Sequence, residues 1–249
     1  MKDRPLFIIT GANGGIGSEL CSKLILENKK VVAAVRNIND AELNPKLDRC
    51  ILIENDFEDW QKTEDFFKEV SENHGEIEGV AHCVGSIVLK PAHLTKEDEF
   101  NACIHKNLGS AFAVLRAATK RMTRNEQGGS IVLLSSAVAK HGYPNHEAIA
   151  AAKAGILGLA KSAAATYAAK NIRVNTVLPG LVDTPLSSKI VQNEAALKAS
   201  EKMHALGRIG KSSEVAAAIQ WLFSNESSWV TGQEIAIDGG LSSVHSSIR

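Results

Sequence analysis

The residues best suited to chemistry come early in the chain. Thr10-Gly11-Ala12-Asn13-Gly14-Gly15-Ile16-Gly17 follows a short apolar run, Leu6 to Ile9, and leads into a stretch of helical character. Glycines in such a turn let the backbone bend tightly and lie close to a pyrophosphate, and the helix start behind them offers N–H groups with no partner inside the helix. A glycine-rich turn alone is a common loop; its place between a first strand and a first helix is what points to a dinucleotide. Farther on, Ser136 follows another apolar run, Lys153 lies in an alanine-rich stretch, and Pro179-Gly180 ends a further run. Taken singly, a serine at a strand end is ordinary turn chemistry and a lone helical lysine is a solvated charge.

The elements that must position these residues are legible as alternation. Leu6 to Ile9, Val31 to Val35, Cys50 to Ile53, Val80 to Cys83, Ile131 to Leu134, Val174 to Leu178 and Glu234 to Ile237 read as strands. Helical patterns occupy residues near 16–28, 60–73, 96–124, 147–170 and 212–224. The strand runs lack the polar alternation of a half-exposed sheet, as strands covered on both faces do. Strands alternating with helices predict right-handed crossovers, a parallel sheet of about seven strands and helices on both faces. The expected fold class is therefore α/β, a single doubly wound Rossmann domain over residues 1–249. The polar tail from Ser242 to Arg249 is expected either to fray or to reach a neighbouring subunit.

Composition narrows the functional classes. The chain has 249 residues, with 28 Lys and Arg against 28 Asp and Glu, 44% apolar and 22% charged residues. These values exclude a disordered or collagen-like chain. Zero net charge and the absence of a basic stripe argue against nucleic acid. The strongest apolar run, Val31 to Val35, is far short of the ~18 residues a membrane helix needs, and the first residues lack a signal-peptide core. Cys21, Cys50, Cys83 and Cys103 stand far apart, so no zinc site or disulfide framework is indicated and no metal is expected. A cytoplasmic, reduced protein is the expectation.

With these segments in order, the sequence resembles the short-chain dehydrogenase/reductase family over nearly its whole length. The family's T-G-x-x-x-G-x-G turn matches Thr10, Gly11, Gly15 and Gly17. The resemblance implies cofactor contacts from Gly11, Asn13, Gly15, Ile16 and Gly17 in that turn and from Asp56 and Phe57 after the third strand. It implies further contacts from Val84 and Gly85 in the altered segment His82-Cys83-Val84-Gly85, from Pro179, Gly180, Val182 and Thr184, and from Lys153 at the ribose. The closing segment Thr231-Gly232-Gln233 through Asp238-Gly239-Gly240 is also typical. Where NAD-dependent relatives end the second strand with an acid, this chain has Val35, followed by Arg36. A guanidinium there can grip a 2′-phosphate in a bidentate way, so NADP(H) is expected over NAD(H). The plainer reading makes Arg36 a solvated loop charge.

The family's chemistry uses an asparagine, a serine, a tyrosine and a lysine. Asn107, Ser136 and Lys153 match three of them, and the tyrosine position, four residues before the lysine, is Ile149. A tyrosine ionises near ~10 and is made useful by a close cation, whereas isoleucine moves no proton. His146, three residues before Ile149, is the candidate substitute because imidazole titrates near ~6.5, with a water held by Ser136 as the other candidate donor and a helix-cap or wall role as the plainer reading of His146. Tyr143, before a proline, and Glu147, in a first helical turn, are the other titratable residues nearby. The changes at His82, Cys83 and Ile149 together imply an altered nicotinamide pocket, with His82 able to face the cofactor and Cys83 a buried small hydrophobe.

From Ala148 to Ala169, 11 of 22 residues are alanine, with Gly155 and Gly158 among them. Small side chains allow close helix approach, and the matching family helix forms a subunit contact, which implies a homodimer or homotetramer. Leu186 to Leu206 resembles the segment that covers a small-molecule substrate. The expected function is an NADP(H)-dependent oxidoreductase acting on a carbonyl or alcohol. The alternative is a catalytically inactive cofactor-binding protein, a sensor or partner subunit. A scaffold that has lost the cofactor would need neither the glycine turn nor Asp56 nor Lys153.

Overall fold

Apolar strands that must be covered on both faces assemble here into one seven-stranded parallel sheet. In the computed structural model, which describes residues 5–244, the strands are β1 (Leu6–Thr10), β2 (Lys30–Val35), β3 (Ile51–Glu54), β4 (Ile77–His82), β5 (Gly129–Leu134) and β6 (Ile172–Pro179). After β6 come a two-residue ladder of β7 (Val182–Asp183) and β8 (Gly210–Lys211), then the last sheet strand, β9 (Glu234–Ile237). The strand order is β3-β2-β1-β4-β5-β6-β9, the doubly wound arrangement. Every strand run expected from the sequence lies on one of these seven, with ends shifted by up to three residues.

The helices are α1 (Gly15–Leu26), α2 (Ile38–Glu42), α3 (Trp60–His74), α4 (Glu97–Ile104), α5 (Ser110–Met122), α6 (Glu147–Tyr167), α7 (Ser188–Val191), α8 (Glu194–Met203) and α9 (Ser212–Phe223). Alternate residues of each strand feed opposite layers. Leu6 and Ile8 of β1 join Phe66, Phe67, Val114 and Ile156 from α3, α5 and α6. Phe7 and Ile9 join Leu20, Leu24, Val215 and Ile219 from α1 and α9. The order reverses between β1 and β4, and it is outside the carboxyl ends of such strands that an open α/β sheet leaves a crevice.

Two differences from expectation have physical causes. The helix expected over 96–124 is interrupted by a π-helical turn, His105–Gly109. Asn107 Nδ2 donates to Cys103 O at 2.9 Å and Ser110 Oγ to Lys106 O at 2.6 Å, so side chains bond to the carbonyls of the preceding turn. The second concerns α6, which is long and apolar enough to cross a membrane by length and composition alone. Half of its apolar window is packed inside the fold, Ile156, Ala160, Ala163 and Ala164 lying against the sheet. At the chain's end, the Ser242 N–H and hydroxyl both donate to Asp238, which anchors the start of the tail. Residues 245–249 lie outside the described residues.

Candidate active site

The glycine turn fills the crevice between β1 and β4. Gly11 has φ of +65°, a backbone that favours glycine, and a Cβ there would lie 3.0 Å from the Cys83 backbone. A Cβ on Gly17 would fall 2.5 Å from Gly11 O, and one on Gly15 would strike Ser212 Oγ and Thr184 Cγ2 at 2.8 Å. Behind the turn, α1 starts on Gly14 with no side-chain cap and no acid in its first turn. Its leading N–H groups are therefore left for an anion. The donors, and a cradle kept clear of side chains, fit a dinucleotide's phosphates.

Two adjoining cavities extend from this turn, sharing Gly11, Gly14, Cys83, Val84, Gly85 and Leu186. The first runs toward the end of β2 and is lined by Asn13, Val35, Arg36, Asn37, Asp40, Asp56 and Lys106, among others. Val35 is buried and Arg36 exposed. Lys106 pairs with Glu58 at 3.3 Å, whereas Arg36 has no ion-pair partner among the described residues. Asn13 Oδ1 accepts from Asn44 Nδ2 at 2.9 Å. Asp56 caps its own turn by accepting from the Glu58 N–H. Phe57 borders this cavity but is buried against Phe66, with ring centroids 5.3 Å apart.

The second cavity lies over the ends of β4, β5 and β6 and brings together Ser136, Ile149, Lys153, Pro179, Gly180, Val182 and Thr184. Lys153 sits one turn after Ile149 on the same face of α6, and its Nζ donates to Leu134 O at 3.1 Å. Burial lowers the ammonium from its ordinary 10.5 to about 8. Ser135 Oγ donates to Lys153 O at 2.8 Å and so pins α6 to the end of β5. A Cβ on Gly85 would meet Asn107 Oδ1 at 3.0 Å and Lys153 Nζ at 3.2 Å. Asn107 is fully buried and clamps Ser86: its Oδ1 accepts from the Ser86 N–H at 3.1 Å and its Nδ2 donates to Ser86 Oγ at 2.9 Å. Thr184 is held by Ser187, whose N–H donates to Thr184 Oγ1 at 3.3 Å.

Two histidines depart from the sequence reading. His82 does not border either cavity but is a buried strut between β1 and the start of α5. The Ser110 hydroxyl already donates to Lys106 O, so it accepts from His82 Nε2 at 3.0 Å, and Nδ1 accepts from the Thr10 hydroxyl at 2.8 Å. Burial, assisted by the Lys153 charge, holds the ring down at about 3, so it is neutral. The expectation that His82 faces the cofactor is corrected accordingly. His146 precedes α6, with Nδ1 bonded to Pro144 O at 2.7 Å and its ring 5.7 Å from that of Tyr143. The structure does not bring His146 or Tyr143 into the cavity with Ser136 and Lys153. Cys83 is partly buried, packed against the core as a small apolar group, and it borders both cavities. Burial pushes its thiol up to about 12 against the Lys153 charge.

Sequence reasoning missed Ser86, Ser187 and His204. The last is buried at the end of α8, where Nδ1 donates to Ser200 O at 2.6 Å and Nε2 accepts from the Leu181 N–H at 3.2 Å. It thereby ties the covering segment to the Gly180-Leu181 turn, 23 residues earlier, and no local pattern announces it. His204→Ala leaves the partly buried Leu181 N–H without its acceptor, which costs about 1–3 kcal/mol. Its thermal midpoint is expected to fall by several degrees, with His204→Gln, whose amide oxygen can accept from Leu181, recovering part of the loss; calorimetry checks this.

The comparisons with known proteins agree with this geometry. The family model described as enoyl-(acyl carrier protein) reductase matches residues 11–242. The chain is 36% identical to the 3-oxoacyl-[acyl-carrier-protein] reductase of Thermotoga maritima over 244 residues, covering 94% of this chain and 96% of that one. It is 29% identical to 3beta-hydroxysteroid dehydrogenase 1 of Eggerthella lenta, covering 94% of this chain and 92% of the relative. Among solved structures, the aldohexose dehydrogenase of Thermoplasma acidophilum superposes with a TM-score of 0.89 at 28% identity, covering 98% and 96%.

Proposed function

Since the chain belongs to the short-chain dehydrogenase/reductase family, within the enoyl-(acyl carrier protein) reductase model that spans its residues 11–242, we propose that it is an NADP(H)-dependent oxidoreductase acting on a carbonyl or alcohol. The observation that carries this reading is continuity: one cleft runs from Arg36 past the glycine turn to Lys153 and Ser136. In it, Gly11, Gly14, Gly15 and the first N–H groups of α1 would hold the pyrophosphate. Lys153 and Thr184 would hold the nicotinamide end, and Val84 and Gly85 the middle. When bound, the nicotinamide supplies or accepts the hydride. Ser136 Oγ would donate to the substrate oxygen, and Asn107 keeps Ser86 and the floor of the cleft in place. Ile87, Leu134, Leu181 and Leu186 offer apolar walls to the rest of the substrate.

The preference for NADP(H) is supported by Val35 in place of a ribose-binding acid and by Arg36, a cation of the cavity wall without an ion-pair partner among the described residues. Arg36→Ala is expected to weaken NADPH binding about 10–100-fold, the range of a charged hydrogen bond of about 1.5–3 kcal/mol. NADH binding should change by less than about twofold, since NADH carries no 2′-phosphate. Titrating the parent and the variant with both cofactors by nicotinamide fluorescence checks this, and failure of the parent to bind either cofactor would remove the reading. The proposed setting is the cytoplasm, where the four unpaired thiols remain reduced, with α6 and its alanine face as the proposed subunit contact.

Ile149 favours a second reading, a subunit that holds NADP(H) without turning it over. It predicts tight NADPH binding with no oxidation by any carbonyl in a broad panel.

A further inference from the structure

Ile149 stands in the second cavity with no proton to give, so a carbonyl reduced there must find its acid elsewhere. We propose that Lys153 is that acid: its Nζ gives a proton directly to the substrate oxygen, in addition to holding the cofactor ribose. This rests on the oxidoreductase reading above and names the group that completes it.

Elimination within the cavity leads there. Of the side chains that line it, only Cys83 and Lys153 titrate as acids, and the serines and Thr184 are far weaker. The Cys83 thiol is pushed up to about 12. His82 lies behind the wall with both ring nitrogens engaged, and His146 and Tyr143 lie outside it. Lys153 remains.

Geometry and hydrogen-bond inventory agree. An ammonium has three N–H groups. Among the described residues, one is taken by Leu134 O and no carboxylate pairs with Nζ. Two are left, enough for a ribose hydroxyl and a substrate oxygen together. Ile149 and Lys153 are four residues apart on one helix face, and a branched aliphatic chain reaches less far than a phenol. Ser136 lines the same cavity as Ile149 and Lys153, so a carbonyl oxygen seated in that cavity can be offered to both Nζ and the serine hydroxyl. Burial without a counter-charge brings Nζ to about 8, near the pH at which the proton must move, as general acid catalysis requires.

The step balances. When bound, the reduced nicotinamide would supply the hydride for the new C–H bond at the carbonyl carbon, and the carbonyl π pair would move onto oxygen. Oxygen takes a proton from Nζ, whose N–H bonding pair stays on nitrogen and leaves a neutral amine. Water re-protonates the amine before the next turnover. Alcohol oxidation is the reverse, with the neutral amine as base.

Lys153→Arg separates the two roles, because a guanidinium can hold ribose but does not release a proton. NADPH binding, followed by fluorescence, is expected to stay within about threefold of the parent. NADPH oxidation with acetoacetyl-coenzyme A and a panel of simple ketones as probes is expected to fall at least about a hundredfold, consistent with loss of a general acid. The parent rate should fall as pH rises through about 8, where the acid is lost. Ile149→Tyr added to Lys153→Arg should restore at least about tenfold by providing another donor. A readout free of substrate is the ¹³C signal of dimethylated lysines. The signal absent from Lys153→Arg should titrate near 8, well below the ordinary 10.5. A Lys153→Arg protein with parental rate and pH profile, or a Lys153 signal titrating with the other lysines, would overturn the assignment. So would NADPH that is bound but oxidised by no probe. Failure of the parent to bind NADPH would instead overturn the reading beneath it.

Discussion

Gly17→Ala is expected to weaken NADPH binding by at least about a hundredfold, or about 2.7 kcal/mol, and to lower the stability of the apoprotein. The added Cβ falls 2.5 Å from Gly11 O and 2.9 Å from Ala12 Cα, both backbone atoms. Neither can move aside cheaply. Even a Cβ on Gly11 would meet the Cys83 carbonyl at 3.0 Å, so that side offers little room, and Ala12 is fully buried with its N–H donating to Ala34 O at 3.2 Å. The strain is therefore relieved by displacing the turn itself, and the N–H groups aimed at the phosphates move with it. Overpacking of this kind costs typically about 1–3 kcal/mol. Gly158→Ala on α6 is the control, because nothing lies within 4 Å of the new Cβ. It should stabilise the fold by about 0.5–1 kcal/mol through helix propensity and leave NADPH affinity unchanged. Denaturant unfolding and cofactor titration of the two variants read both effects, and equal behaviour would contradict the assigned role of the turn.

A comparable effect is expected on acidification, and His82 is its origin. The folded-state ring sits at about 3 against an ordinary 6.5. Between those values the unfolded chain binds a proton that the native chain does not, so stability is complete above about 6.5 and is lost as pH falls. Each pH unit across that window removes up to about 1.4 kcal/mol from this group. His82→Asn should flatten unfolding free energy against pH by about one proton between pH 6 and 4. His82→Leu should instead lower stability at pH 7 by about 1–3 kcal/mol, because the buried Thr10 hydroxyl loses its acceptor. Urea unfolding of the three proteins at pH 7, 6 and 5 distinguishes these outcomes. An unchanged slope in His82→Asn would mean the acid sensitivity arises elsewhere.

How much was legible follows from which interactions are local. The seven strands could be read because Leu6 to Thr10, Val31 to Val35 and Ile131 to Leu134 are covered on both faces and carry no polar alternation. The glycine turn could be read because its constraint is steric and confined to residues 10–17. Lys153 and Ser136 were brought together by the family resemblance, and they do share one cavity. The interruption at His105–Gly109 left no trace in the hydrophobic period, since it is made by Asn107 and Ser110 bonding to main-chain carbonyls one turn back. His204 was invisible because its partner, Leu181, is a backbone group 23 residues distant. His82 and His146 show the limit most clearly. Their titratable rings were evident from residue type, but which way each faced depended on Thr10, Ser110 and Pro144, contacts that only the fold supplies.

The π-helical turn also governs which kinds of sequence change this chain can absorb. An α-helix advances about 100° per residue, so one residue more or fewer in a turn rotates everything before it relative to everything after. Cys103, ahead of the turn, packs with Ile149 and Ala152, while Val114 and Ala118, beyond it, belong to the core between the sheet and its helices. Both faces are met only because residues 105–109 hold the count they do. Deleting one residue within 105–109 would preserve nearly every side chain yet rotate α4 relative to α5, so that α4 could not keep its contact with α6 while α5 kept its place in the core. Across this segment it is length rather than spelling that is constrained, and drift by substitution remains open where drift by insertion or deletion is closed.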